Sequence, residues 1–250
     1  MRKYLLATLA ACTLSLSAHA ELVANFTFDG TTVDTVSGAE ATIKQLNSNT
    51  DGFVTDRHGQ TQSAMSLRDT TLLFSQTNAP TLTQYTVSTW FKFDDNASAQ
   101  GRQYLFDSRN SSSLLLFYDF GNHNGFGITS NSIDGGDQYL DDGQWHYVAL
   151  SGDTQGTRLY VDGQMIGSTT LNTSLSINRL TIGNYKNYSS TYDFRGAVDD
   201  FQVHDVSMDA QTINQQYFLQ SQPSDVGIPL YGMSALLLGG LMLRSRKPQN

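Results

Sequence analysis

Along the middle of the chain, apolar and polar residues alternate with period two. Leu22, Ala24, Phe26 and Phe28 alternate with Val23, Asn25 and Thr27, and Phe201 and Val203 alternate with Gln202 and His204. This is the pattern of strands with one buried face. Leu114-Leu115-Leu116-Phe117-Tyr118 is apolar on both sides, which predicts a strand in the middle of two packed layers. Between such segments stand Asp29-Gly30, Asp51-Gly52, Asp134-Gly135-Gly136, Asp142-Gly143 and Asp162-Gly163, residues that tolerate positive φ and make turns. The sharpest hairpin runs from Arg158 to Val161, turns at Asp162-Gly163 and returns over Gln164-Met165-Ile166. Many short strands separated in this way predict a sandwich or barrel. One short helix is expected, with Ser207 as N-cap, running from Met208 to Tyr217.

The two ends break the pattern. Met1-Arg2-Lys3 precedes an apolar stretch from Tyr4 to Ser17 and a small-x-small site, Ala18-His19-Ala20, which predicts a secretory signal peptide over 1–20, cleaved before Glu21. A competing reading is a lipoprotein, because Leu9-Ala10-Ala11-Cys12 spells a lipobox. Cys12 is the single cysteine, so cleavage after Ala20 leaves a chain whose stability rests on packing or a bound metal rather than a disulfide. At the other end, a linker over 223–227 leads to an apolar run from Ile228 to Leu243 and a basic stop, Arg244-Ser245-Arg246-Lys247. That predicts a transmembrane-like helix and tail over 228–250 with a cytoplasmic C-terminus. The arrangement resembles the PEP-CTERM class of bacterial sorting signals, although Ile228-Pro229-Leu230 departs from the usual Val-Pro-Glu-Pro; a plain tail anchor is the alternative. Residues 21–222 between these ends are expected to form one domain, exported to the cell envelope or beyond, meeting the membrane only through the C-terminal segment.

Charge narrows the partners. Five of the 15 basic residues lie in the two ends and none of the 23 acidic ones is lost with the leader; through Asp225 ten basic groups face 23 acidic ones, a net charge near −13. Nucleic acid and anionic lipid surfaces are poor partners for such a surface. All but two of the acids, Glu21 and Glu40, are Asp, a residue that suits turns and Ca²⁺ ligation more than helices.

Four passages together resemble a known family: Phe26-Thr27-Phe28-Asp29-Gly30; Tyr85-Thr86-Val87-Ser88-Thr89-Trp90-Phe91; Asp142-Gly143-Gln144-Trp145-His146-Tyr147-Val148-Ala149 with Leu159-Tyr160-Val161-Asp162-Gly163; and Phe194-Arg195-Gly196-Ala197-Val198-Asp199-Asp200-Phe201. In order and spacing they look like a LamG-type concanavalin A-like jelly roll, of the lectin and glucanase group. The resemblance implies an all-β fold, two antiparallel sheets packed as a sandwich with a concave face for ligands, plus a short C-terminal helix. It also implies a calcium ion clipping the first strand region to the last strand. By motif position its ligands are Asp29 and Asp199, with a carbonyl near Gly59; the competing reading makes Asp29 a turn residue and Asp199 a strand cap.

The same superfamily holds enzymes, so the catalytic pairs must be sought. A retaining glycosidase needs two carboxylates about 5 to 5.5 Å apart, and the resembling glucanases carry Glu residues along one strand. Glu21 and Glu40 are isolated, and Asp199-Asp200, as neighbours on a regular strand, are expected to point to opposite faces. His146 and Tyr147, the nearest match to a lyase site, are expected to point apart as well. The expectation is therefore a non-catalytic domain. Trp90 and Trp145 read as core. The loop 183–195 interleaves Tyr185, Tyr188 and Tyr192 with Asn184, Lys186, Asn187, Ser189 and Ser190; Asn184, Tyr185, Tyr188 and Tyr192 are the candidate ligand contacts, rings for sugar faces and amides for hydroxyls. The function read from sequence is binding of an extracellular or envelope glycan, with a structural or adhesion role toward a surface protein or matrix polymer as the alternative.

Overall fold

The computed structural model describes residues 20–223, apart from 46–51, 96, 98–100, 109–113, 122–123, 130, 134–138, 172 and 186–190. The first elements are β1 (Leu22–Phe26), β2 (Thr42–Gln45), β3 (Phe53–Val54), β4 (Ala64–Ser66), β5 (Thr70–Phe74) and β6 (Thr81–Leu82). They are followed by β7 (Tyr85–Phe93), β8 (Arg102–Asp107), β9 (Leu115–Asp119), β10 (Gly125–Ile128), β11 (Asn131–Ser132) and β12 (His146–Asp153). The last are β13 (Gly156–Val161), β14 (Gln164–Thr169), β15 (Leu175–Ser176), β16 (Leu180–Ile182), β17 (Gly196–His204) and one helix, α1 (Ala210–Gln220).

Two antiparallel sheets form the sandwich. The first has the order β14-β13-β12-β7-β17-β4-β3, with β1 also on β17; the second runs β11-β10-β9-β8-β16-β5-β2. Phe26, Phe74, Phe91, Phe106, Tyr118, Phe126, Val148, Leu150, Leu159, Val198 and Phe201 fill the space between them. The expected hairpin is present: Val161 pairs with Gln164, and Asp162 (φ 47°) and Gly163 (φ 75°) both take the left-handed backbone of a type I′ turn.

Strands apolar on both sides have two destinations. On β7, β12 and β13, the faces away from the core present Trp90, Tyr147, Ala149 and Tyr160 to Met208 and Ile213, so α1 closes the outside of the first sheet. On β9, Leu116 and Tyr118 enter the core, whereas Leu115 and Phe117 join Tyr104 and Tyr185 on the outside of the second sheet.

The helix begins later than the sequence suggests. Asp209, not Ser207, is its N-cap and accepts from Thr212 N at 2.8 Å. Ser207 instead bonds Ser151 Oγ at 2.9 Å and Asp153, and Met208 N donates to Thr86 Oγ1, so the chain is still tied to the sheet at those residues. Among the described residues no helix is long and apolar enough to cross a membrane. All but the last residue of the expected leader over 1–20, all but the first of the linker over 223–227, and the whole of the segment 228–250 lie outside the described residues.

Candidate functional site

The last strand contains an irregularity that builds the first candidate site. Asp199 pairs with Trp90 and Gln202 with Ser88, so β17 carries one residue more than β7 over this stretch. Asp200 absorbs it with φ 47°. The bulge sits where the other edge of β17 changes partner, from β4 at Ala197 and Val198 to β1 at Phe201 and Gln202. Its effect is to bring Asp199 and Asp200, neighbours expected to face apart, onto one guanidinium: Arg57 Nη1 donates to Asp199 and Nη2 to Asp200 at 2.7 Å.

Arg57 is itself fixed on every side. Its Nε donates to the Gln220 carbonyl at 3.0 Å, and its guanidinium carbon lies 4.8 Å from the centre of the Trp90 ring. Tyr217 stacks against Trp90 at 5.6 Å, while Trp90 Nε1 donates to Gln220 Oε1. One arginine thus joins the β3–β4 loop, the bulge and the end of α1. Around it Thr27, Asp29, Asp56, His58, Gln60 and Ser63 complete a cavity of 240 Å³.

Four carboxylates facing one arginine leave the cavity with excess negative charge. Burial pushes the Asp199 carboxyl up to about 8, with Asp200 adding to the rise and Arg57 opposing it. Asp200 is also raised, by burial, against the pull of Arg57. The ion pair with Arg57 therefore only partly offsets the cost of burying both acids. Asp56 makes a tight turn, accepting from His58 N at 2.9 Å and Gln60 N at 2.7 Å, and Gly59 between them takes φ 83°. The oxygen-bearing side chains here, Thr27, Asp29, Asp56, Gln60, Ser63, Asp199 and Asp200, are of the kind Ca²⁺ takes, but Arg57 and the His58 imidazole line the cavity with them. Among the described residues no three acidic or imidazole side chains stand close enough to hold a metal ion together.

The second candidate site is the outside of the second sheet. Tyr104 and Phe117, cross-strand partners on β8 and β9, lie with ring centres 5.4 Å apart. Tyr185 and Tyr192 stand edge-on to Tyr104 at 5.2 and 5.5 Å, and 5.6 Å from each other. Arg102 lies over the Phe117 ring at 4.1 Å and donates to Asp119 at 2.9 Å. Phe117 lies flat on β10 because its partner there is Gly127, where a Cβ would fall 2.1 Å from the ring. Tyr104 and Phe117 form the buried base, Tyr185 is half-buried, and Tyr192 is 37% exposed. Tyr185 and Tyr192, backed by buried Tyr104 and Phe117 and with Arg102 alongside, are the rings this face offers to solvent.

A family model, Laminin_G_3 of the concanavalin A-like lectin/glucanases superfamily, matches residues 60–214. The chain belongs to this family. No curated protein matches it. Among solved structures, domain 4 of AbnA, an extracellular arabinanase from Geobacillus stearothermophilus solved in complex with arabinotriose, is similar at 17% identity and a TM-score of 0.53. The match covers 78% of this chain and 98% of that one. The binding domain of Paraclostridial Mosquitocidal Protein 1 (15% identity, TM-score 0.55, 78% of this chain and 51% of that one) and that of botulinum neurotoxin serotype D (16%, 0.51, 75% and 48%) are similar too. The chain spans about half the length of these toxin domains, and at such identities the likeness is one of fold.

Of the site residues singled out in the sequence, Asp29 and Gly59 precede the Laminin_G_3 match and the others lie within it. Asp29 and Asp199 line one cavity, and Gly59 lies between two residues that line it. Tyr185 and Tyr192 meet on the outside of the second sheet, whereas Tyr188 lies outside the described residues. Asn184 is fully buried, donating to Thr71 Oγ1 and accepting from Tyr185 N, so its amide positions the loop instead of facing solvent. The sequence reading missed Arg57, Asp56 and Asp200, which a bulge and a loop bring together. It also missed Tyr104 and Phe117, although their alternation with core residues was a signal that both faces of those strands carry aromatic rings.

Proposed function

We propose that this domain binds carbohydrate without transforming it, outside the cytoplasm, through the aromatic outer face of its second sheet. The observation that carries this reading is the cluster of Tyr104, Phe117, Tyr185 and Tyr192. On the outside of the first sheet, α1 and the residues leading into it cover Trp90, Tyr147 and Tyr160. Structural neighbours that include an arabinanase domain solved with arabinotriose and toxin binding domains support the reading in general terms. A non-catalytic role is supported by the engagement of the paired acids: Asp199 and Asp200 both hold Arg57, and α1 closes over the far side of that arginine's Trp90.

Calcium is part of the same proposal, as a structural ion. Asp29, Asp199 and the main chain around Gly59 would hold it, with Asp200 beside them; Asp199 and Asp200 each give one oxygen, Oδ2, to Arg57. The ion would neutralise the cavity and tie the end of β1 to β17. Export, the leader and the C-terminal anchor belong to the proposal on the sequence pattern alone.

A glycan array followed by isothermal titration tests the binding surface. Tyr192→Ala and Tyr185→Ala are each expected to weaken the best glycan about tenfold, a loss of about 1.4 kcal/mol and in the range of one aromatic stacking partner. Binding unaffected by both changes would move the site elsewhere. Selective retention of a surface protein with no glycan bound would favour the adhesion reading.

A further inference from the structure

The first and last strands of the sandwich meet in a two-way clasp at their ends. Glu21 N donates to Asp205 Oδ1 at 2.9 Å, and Asp205 N donates back to the Glu21 carbonyl at 3.1 Å. Leu22, one residue further, pairs with His204 in the β1–β17 ladder. Ala20 and Glu21 are both exposed. The bond between them is the one that Ala18-His19-Ala20 marks for cleavage.

We propose that Asp205 is the receptor for the N-terminus that the expected cleavage before Glu21 creates. A leader-removing peptidase breaks the C–N bond. The oxygen of one water goes to the Ala20 carboxylate, and its two protons go to the Glu21 nitrogen, which becomes an ammonium group. The contact that joins an amide to a carboxylate before cleavage then joins an ammonium to the same carboxylate. The carboxylate already assists this hydrogen bond from the acceptor side; the ammonium adds the opposite charge on the donor side and so a Coulomb attraction the amide lacks. The ionisable groups at the clasp are Asp205, the Glu21 side chain and His204, which burial holds toward its neutral form; none of them opposes a positive charge there. Removal of the leader thereby strengthens the closure of β1 onto β17 and couples maturation to the stability of the folded domain.

The test uses the full chain produced with its own leader in a secreting bacterial host. N-terminal sequencing of the exported protein is expected to begin at Glu21. With ¹⁵N-labelled protein, the α-amine is expected to titrate above its ordinary value of about 7.7–8.0, and to return to that range in Asp205→Asn. The variant keeps the backbone half of the clasp, and circular dichroism verifies its fold. Because a raised amine pKa stabilises the folded state below the ordinary value and loses effect as pH rises through the raised one, the thermal midpoint should fall more steeply over that window in the native protein than in the variant. A chain that begins at a lipidated Cys12 or keeps Met1 overturns the proposal, and so does an amine that titrates identically with and without the Asp205 carboxylate.

Discussion

Asp34 has no exposed surface, yet its carboxylate is answered on both oxygens: Oδ1 accepts from Asn25 N at 2.7 Å and Val36 N at 3.2 Å, and Oδ2 from Ser37 N at 3.0 Å and the Ser37 hydroxyl. A buried anion is tolerated when main-chain donors replace its water. His146 is handled by a different device. Its Nδ1 meets Asp162 at 2.8 Å and its Nε2 meets Asp142 at 3.1 Å, joining two turns. Burial opposes its charging, but the bonds to Asp162 and Asp142 outweigh it and raise the imidazole pKa. Asp142 is lowered in return: its hydrogen bonds from Gln144 and His146 outweigh the opposing effect of burial. The pair therefore stabilises the fold fully below about pH 6.5, the unfolded value of His, and loses that effect as pH rises through the raised folded value. At the acid end it is lost as pH falls below the ordinary Asp range. His204 works oppositely: burial lowers its pKa, so it contributes above about 6.5 and loses effect as pH falls. Thermal midpoints measured from pH 6 to 9 should decline more steeply in the native protein than in His146→Gln; parallel profiles would remove His146 from the account.

At the scale of elements, the decisive piece is β17. It lies next to the centre of the first sheet, exchanges β4 for β1 along one edge, and carries the bulge at that exchange. A bulge locally bends a strand and re-aims its side chains, which is why Asp199 and Asp200 reach one arginine. Helix α1 depends on the same arginine, since its last residue, Gln220, accepts from Arg57 Nε and from Trp90 Nε1. Removing Arg57 leaves buried Asp199 and half-buried Asp200 without their shared partner. A cost of up to 3–5 kcal/mol is typical for a broken buried pair, and because Asp199 already titrates near 8 it relieves part of this by taking a proton. Arg57→Ala is therefore expected to cost about 3 kcal/mol, read as a lower denaturant midpoint at unchanged slope. Arg57→Lys should recover only part of it, because an ammonium does not span two carboxylates and a carbonyl as a planar fork does. A loss below about 0.5 kcal/mol, the level of an ordinary surface change, would mean that the arginine does not hold these elements together.

For the whole molecule, the ten basic and 23 acidic groups of residues 21–225 make cation binding a question of stability. Calcium added to protein prepared in EDTA should raise the thermal midpoint, reaching about 2.7 kcal/mol of added stability at 100 times its dissociation constant. Magnesium should do less, and Asp29→Ala should abolish the effect; no shift in the native protein would return Asp29 to turn-making. How far the sequence reached depends on the range of the interactions involved. Period-two alternation from Leu22 to Phe28 and the Asp162-Gly163 turn are set by sterics and burial within a few residues, so the all-β sandwich and its sharpest hairpin could be read directly. The motifs around Trp90, Trp145 and Asp199 carried the family. The helix was legible but its cap was not, because Ser207 and Asp209 offer similar side-chain acceptors and only contacts with Ser151 and Thr86 separate them. Tertiary structure alone decided that adjacent aspartates share an arginine 142 positions away, and that Tyr104 and Phe117 meet Tyr185 and Tyr192. It alone decided, too, which sheet α1 covers and which face is left for a ligand. Those outcomes depend on register, on one extra residue in a strand, and on which distant segment arrives to occupy a surface, and no local pattern of residues encodes them.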